Sequence, residues 1–198
     1  MPTVRITGCD YGIGFEFARQ YASDNWRVHV ICLEEDSEQK IAAVPGDVQF
    51  HNVDVSSPTM LKSLADHLQE EAIDLLINNA ATFAPDGPGT LMLPDIDEFT
   101  RVMKVNAVAP VYVASAFEQH VARSEHKLIV FIGTRSGSIG DNTSGGHYAY
   151  RCSKTALNMA AKSISVDFAK HGICAAVLHP GSVATETGRV GRYQWLKA

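Results

Sequence analysis

The sequence predicts an α/β fold in three layers, a doubly wound parallel sheet of about six strands with helices on both faces. Three observations predict it. Apolar runs that do not alternate with polar residues recur along the chain, as strands buried on both faces do. Segments of helical periodicity separate these runs. A glycine-rich stretch, Gly8 to Gly14, lies where the first apolar run gives way to the first helical segment.

The elements follow in order. Thr3 to Thr7 is a short strand that ends in glycines, and Gly14 to Ala22 is a helix with Phe15, Ala18 and Ala22 on one stripe. Val28 to Leu33 and Val48 to Val53 are apolar, β-branched strands. Thr59 to Ala72 is a helix with Leu61, Leu64, Ala65 and Leu68 on one face, followed by a strand at Ile73 to Ile77. A long helix is expected over Asp97 to Ala122 and a strand over Leu128 to Ile132. Tyr148 to His171 is a helix closed by Gly172 as its C-cap, and Ile173 to Leu178 is the last strand. Right-handed crossovers between parallel strands make such a sheet doubly wound.

Composition bounds the function. At 198 residues, 45% hydrophobic and 20% charged, the chain is expected to fold as one domain spanning residues 1–198. A net charge of −5 and a pI of about 5.9 give no electrostatic footprint for nucleic acid. No apolar run approaches the roughly 18 residues of a membrane span. The first residues resemble neither a signal nor a transit peptide. Four widely spaced cysteines without a Cys-x-x-Cys pair suit reduced thiols in the cytoplasm. Eight histidines without ligand spacing give no reason to expect a metal site.

Two local patterns carry chemistry. The loop of Gly8, Cys9, Asp10, Tyr11, Gly12, Ile13 and Gly14 has the spacing Gly-x-x-x-Gly-x-Gly. Glycines there permit a tight turn and a close approach of backbone to a pyrophosphate, and the following helix offers free N–H groups. A bare structural turn is the alternative. The second pattern is Tyr150 and Lys154, one above the other if helical. A phenol titrates near 10, and an ammonium one turn away favours the phenolate, making the tyrosine a usable acid/base. Tyr148 is a rival phenol, but Cys152 stands where its lysine would be needed.

Thr7-Gly8-x-x-x-Gly12-Ile13-Gly14, Asn78-Asn79-Ala80-Ala81, Asn106, Tyr150-x-x-x-Lys154 and Pro180-Gly181 occur in the order found in the short-chain dehydrogenase/reductase family. The sequence resembles that family over nearly its whole length. The stretch from Gly137 through Gly145-Gly146-His147-Tyr148-Ala149-Tyr150 is similar to the branch that contains C-factor and the sniffer-type carbonyl reductases.

The resemblance implies a Rossmann-type fold that moves a hydride between a nicotinamide dinucleotide and a carbonyl or secondary alcohol. It places Gly8, Asp10, Tyr11, Gly12, Ile13 and Gly14 at the cofactor phosphates, and Asp54 and Val55 at the adenine. Asn79, Ala80 and Ala81 fall beside the cofactor, although Ala81 replaces the usual glycine. Pro180, Gly181, Val183 and Thr185 fall at the nicotinamide carboxamide. Tyr150 is implied as proton donor, Lys154 as the group that orients the ribose, and Asn106 as support for a proton-relay water. The family serine that binds the carbonyl oxygen aligns with Thr134, with Ser136 as the alternative.

Cys32 and Leu33 occupy the positions where the family reads the adenosine ribose, and they match neither the NAD nor the NADP signature. Asp10, Glu34 and Glu35, with no lysine or arginine nearby, favour NAD(H) over NADP(H) through repulsion of a 2′-phosphate. The family's covering helices and seventh strand have little room in the short tail after Gly181, so an open site is expected. Pairing of the two long helices across a two-fold axis implies a homodimer or homotetramer. A non-catalytic, cofactor-binding signalling protein of C-factor type is the second reading.

Overall fold

In the computed structural model, residues 1–84 and 95–183 are described. They form one sheet of six strands: β1 Thr3–Thr7, β2 Arg27–Cys32, β3 Val48–Asn52, β4 Leu75–Asn78, β5 Leu128–Ile132 and β6 Cys174–Leu178. Every pairing is parallel and the order is β3-β2-β1-β4-β5-β6. The chain winds outward from β1 to β3, then crosses back to β4. The order therefore reverses between β1 and β4, and the crevice at the carboxyl ends of those strands is where such a sheet binds ligands.

Strand parity sorts the core into two layers. Ile31, Leu76, Ile129 and Phe131 point to one face, covered by α3 (Pro58–His67), α5 (Ala109–Ala122) and α6 (Tyr148–Asp167) through Leu61, Leu64, Phe117 and Leu157. Val4, Ile6, Val28, Val30 and Ile77 point to the other, covered by Ala18 and Ala22 of α1 (Gly12–Ser23) and Ile41 of α2 (Ser37–Ala42).

Three elements differ from the expectation. The six-residue α2 has too few turns to show a period. Helix α3 stops at His67, five residues before the expected end. The long helix is interrupted: α4 (Ile96–Met103) passes through a π-helical turn, Lys104–Val108, into α5. Pro110, in the first turn of α5, has no N–H for the carbonyl four residues back, which favours this wider turn. The close of α6 matches expectation, with Gly172 left-handed at φ 75° after the 3-10 turn Phe168–His171.

One polar cluster lies within the α3/α5 layer. Arg5, at the centre of β1, is fully buried with its guanidinium carbon 4.0 Å from the Phe117 ring centroid. None of its three nitrogens has a hydrogen-bond partner among the described residues. Beside it on β2, His29 holds Nε2 2.6 Å from Glu71 Oε2 and Nδ1 2.9 Å from His51 Nε2. Burial is the main cause that lowers these groups, Arg5 to about 9, His29 to about 3 and His51 to about 4.

Candidate active site

The crevice begins where β1 runs out. Gly8 takes φ +70°, and a Cβ there would stand 2.7 Å from Ala80 Cα, so only glycine lets the loops after β1 and β4 touch. Thr7 locks the same junction. Its Oγ1 accepts the N–H groups of Asn79 and Ala80, both at 3.0 Å, while Asn79 Nδ2 donates to the carbonyls of Thr7 and Gly8. Gly14 is buried, and a Cβ there would come within 2.2 Å of Gly8 O. It packs helix against loop and does not itself line the cleft.

The resulting cleft encloses about 430 Å³. Gly8, Asp10, Tyr11, Gly12 and Ile13 line it on the glycine-loop side, with Asn79, Ala80 and Ala81 next to them. No side chain caps the N-terminus of α1, and its first turn carries no acidic residue, so its N–H groups and dipole suit an anion. The glycine cradle and this uncapped helix end fit the pyrophosphate of a dinucleotide. Asp54 and Val55 continue the wall, with the Asp54 carboxylate accepting from Ser56 N–H at 2.7 Å and Ser56 Oγ at 3.0 Å.

The corner at the end of β2 corrects the expectation that no lysine or arginine lies nearby. Leu33 lines the cleft, whereas Cys32 is fully buried in the core and does not. Cys32 shares the parity of Val28 and Val30, which turns its side chain toward α1. Burial pushes its thiol up to about 12. The corner also holds a cation: Lys40, on α2, donates to the backbone carbonyl of Asp10 at 3.2 Å. The Asp10 carboxylate is engaged by Glu34 N–H at 2.9 Å, Leu33 N–H at 3.3 Å and Ser37 Oγ at 3.0 Å, tying the first loop to the second.

At the other end, Tyr150 and Lys154 lie on α6 and both line the cleft. Lys154 is buried, and Nζ donates to Ile132 O at 2.9 Å, 5.9 Å from the Tyr150 ring centroid. Burial brings it down to about 8. An ammonium has three donors, so two remain after the bond to Ile132. Thr134 lines the cleft and Ser136 does not; Ser136 N–H donates to Thr134 Oγ1 at 3.2 Å, leaving the threonine O–H to donate elsewhere.

Asn106 does not line the cleft. Fully buried in the π turn, it accepts at Oδ1 from Thr82 N–H at 2.7 Å and donates from Nδ2 to Thr82 O at 2.8 Å and Ser153 Oγ at 3.1 Å. Both amide hydrogens are spent on protein, so the side chain acts as a clamp on the loop after β4. Pro180 and Gly181 line the cleft, the latter at φ +75°. Val183 is exposed outside it, and Thr185 lies outside the described residues.

Sequence reasoning missed Phe83, Arg101, Val105 and His179, all of which line the cleft. Phe83 stacks on Tyr150, with ring centroids 4.1 Å apart and planes at 22°. Arg101 donates to Thr82 Oγ1 at 2.6 Å and Phe83 O at 2.8 Å while gripping Glu98 through two nitrogens. Phe83 follows Asn78-Asn79-Ala80-Ala81 closely, and Arg101 precedes Asn106 on the same helical run; reading onward from those motifs is the signal that could have found them.

Fold and site together define a dinucleotide-binding α/β oxidoreductase. A family model for the short chain dehydrogenases matches residues 2–193, and the chain belongs to that family. It is 33% identical over 191 residues, covering 94% of this chain and 80% of the relative, to 1-hydroxy-2-glutathionyl-2-methyl-3-butene dehydrogenase of Rhodococcus sp. (strain AD45). C-signal of Myxococcus xanthus is 35% identical over 130 residues, covering 65% of this chain and 76% of the relative. Among solved structures, a short-chain dehydrogenase/reductase of Burkholderia multivorans with bound NADP superposes with a TM-score of 0.84 at 28% identity, over 94% of this chain and 82% of that one. Carbonyl reductase Sniffer of D. melanogaster gives 0.83 at 26% identity, over 95% and 84%.

Proposed function

We propose that the chain reduces carbonyls, and oxidises secondary alcohols in reverse, with Tyr150 as the acid/base. The observation that supports this reading best is a single cleft lined both by the glycine loop and by Thr134, Tyr150 and Lys154. A nicotinamide dinucleotide bound along the glycine loop supplies or takes the hydride. Tyr150 Oη gives its proton to the carbonyl oxygen while the Thr134 hydroxyl donates a hydrogen bond to the same oxygen. The Lys154 ammonium favours the phenolate left behind and turns its free donors toward the ribose hydroxyls. The phenolate then recovers a proton from solvent.

NAD(H) remains favoured on the charges of Asp10, Glu34 and Glu35, but Lys40 weakens that preference, and the Burkholderia neighbour carries NADP. Residues 1–198 are proposed to form one domain working in the cytoplasm, in keeping with four free cysteines. No described helix is long and apolar enough to cross a membrane. Assembly into a homodimer or homotetramer is proposed through the outer faces of α5 and α6, which expose Val111, Tyr112, Met159 and Val166.

The test is consumption of reduced cofactor over a panel of small aldehydes and ketones. Tyr150→Phe should cut turnover by roughly 10²-fold or more while leaving cofactor affinity near wild type. A variant as fast as wild type would sink the assignment. The match to C-signal favours a second reading, a cofactor-binding signalling protein; cofactor binding without turnover of any carbonyl would select it.

A further inference from the structure

Phe83 is half exposed, yet its ring lies nearly parallel to Tyr150 and covers one face of the phenol. The segment that carries it is held from two sides. Asn106 engages both backbone groups of Thr82, and Arg101 takes the Thr82 hydroxyl and the Phe83 carbonyl. Two clamps on two consecutive residues fix the position of an exposed ring, which a merely space-filling side chain does not require.

We propose that Phe83 is a positioning residue that raises the proton affinity of Tyr150, keeping the phenol protonated over the pH range in which a carbonyl is reduced. The inference rests on the reading of Tyr150 as acid/base. Two physical effects support it. A covered face is lost to water, and desolvation disfavours the phenolate. The π-face of Phe83 also carries negative charge density, so a charge developing on the stacked ring meets repulsion. Lys154 acts in the opposite direction. Among the described residues, the other ionisable groups on the cleft wall are Asp10, Tyr11, Asp54, His179 and Arg101, the last paired with Glu98; substitution of Phe83 alters the charge of none of them. In the step itself the Tyr150 O–H bond breaks as the carbonyl oxygen gains the proton and its carbon gains the hydride from the reduced cofactor. The higher proton affinity keeps more of the enzyme in the donating form at alkaline pH.

The test titrates Tyr150 directly in cofactor-free protein. Ultraviolet phenolate absorbance is recorded for wild type, Phe83→Leu, Phe83→Ala and Phe83→Trp, each against the same protein carrying Tyr150→Phe. Leu and Ala should lower the Tyr150 midpoint by about one pH unit, and Trp, which keeps a ring, should restore it. In the reductive direction the alkaline limb of the pH–rate profile should move down by the same amount. A ring that only lined the cleft would change KM and leave the midpoint in place. Midpoints for Leu and Ala equal to wild type overturn the proposal. Should Tyr150→Phe prove fully active, the catalytic reading fails, while the phenolate titration still decides the influence of Phe83.

Discussion

Thr7 and Asn79 are joined by two hydrogen bonds, both donated by Asn79: its backbone N–H donates to Thr7 Oγ1 and its Nδ2 donates to Thr7 O, each at 3.0 Å. One pair of residues thus sets the separation of the two loops that bound the cleft. Thr7→Val keeps the shape and removes the acceptor of two backbone N–H groups. Stability should fall by about 2 kcal/mol, and cofactor affinity should fall with it. Denaturant melts and fluorescence titration measure the two.

Lys40 is the cation tied to the Asp10 corner. Lys40→Ala should weaken NADPH binding several-fold more than NADH binding, since only the former carries a 2′-phosphate for an ammonium to attract. Equal losses for both cofactors would mean that Lys40 acts only by holding the loop.

Buried His29 and half-buried His51 make the fold acid-sensitive. His29 is held at about 3 by burial first, then by Arg5 and Arg27, with Asp47 opposing. His51 is held at about 4 by burial, then by His29, Arg5 and His67, with Glu71 opposing. Both lie below the ordinary 6.5, so the unfolded chain binds more protons between these values. Their stabilising contribution is complete above about 6.5 and is lost as pH falls toward 4 and then 3, each steepening the loss by up to about 1.4 kcal/mol per pH unit. Urea midpoints measured from about pH 7 to pH 4 should drop steeply, and His29→Leu should flatten that slope.

The assembly proposed through the exposed apolar residues of α5 and α6 is tested by light scattering, where a single-chain mass for the wild type would refute it. Tyr112→Glu combined with Met159→Glu should lower the mass seen by light scattering to that of one chain, with the cofactor still bound. A multimeric wild type whose mass the double variant leaves unchanged would rule out these faces as the interface.

What could be read from the sequence follows from local physics. The strands were legible because β-branched residues run unbroken where both faces are covered, and the glycine loop because left-handed backbone at Gly8 and Gly12 narrows the choice of residue. The π turn was hidden because its residues keep helical hydrophobicity; only Pro110 marked it. The burial of Cys32 was legible too, since strand parity with Val30 points it inward. The Phe83–Tyr150 stack and the Lys40–Asp10 contact join residues far apart in the chain, and no period or spacing encodes such a meeting.

The burial of Arg5 means that the molecule holds stability in reserve. A guanidinium bonded to no described partner has lost its hydration, and the ring of Phe117 and the field of Glu71 return only part of that. Replacing a buried ionic group by apolar volume often gains about 1–4 kcal/mol. Arg5→Met with Glu71→Gln, neither of which lines the cleft, should therefore raise the melting temperature and leave turnover unchanged. The core of β1 is a place where laboratory evolution could relax the tolerance of this scaffold for changes at its cleft, loading the centre of the sheet with grease so that the rim is free to vary.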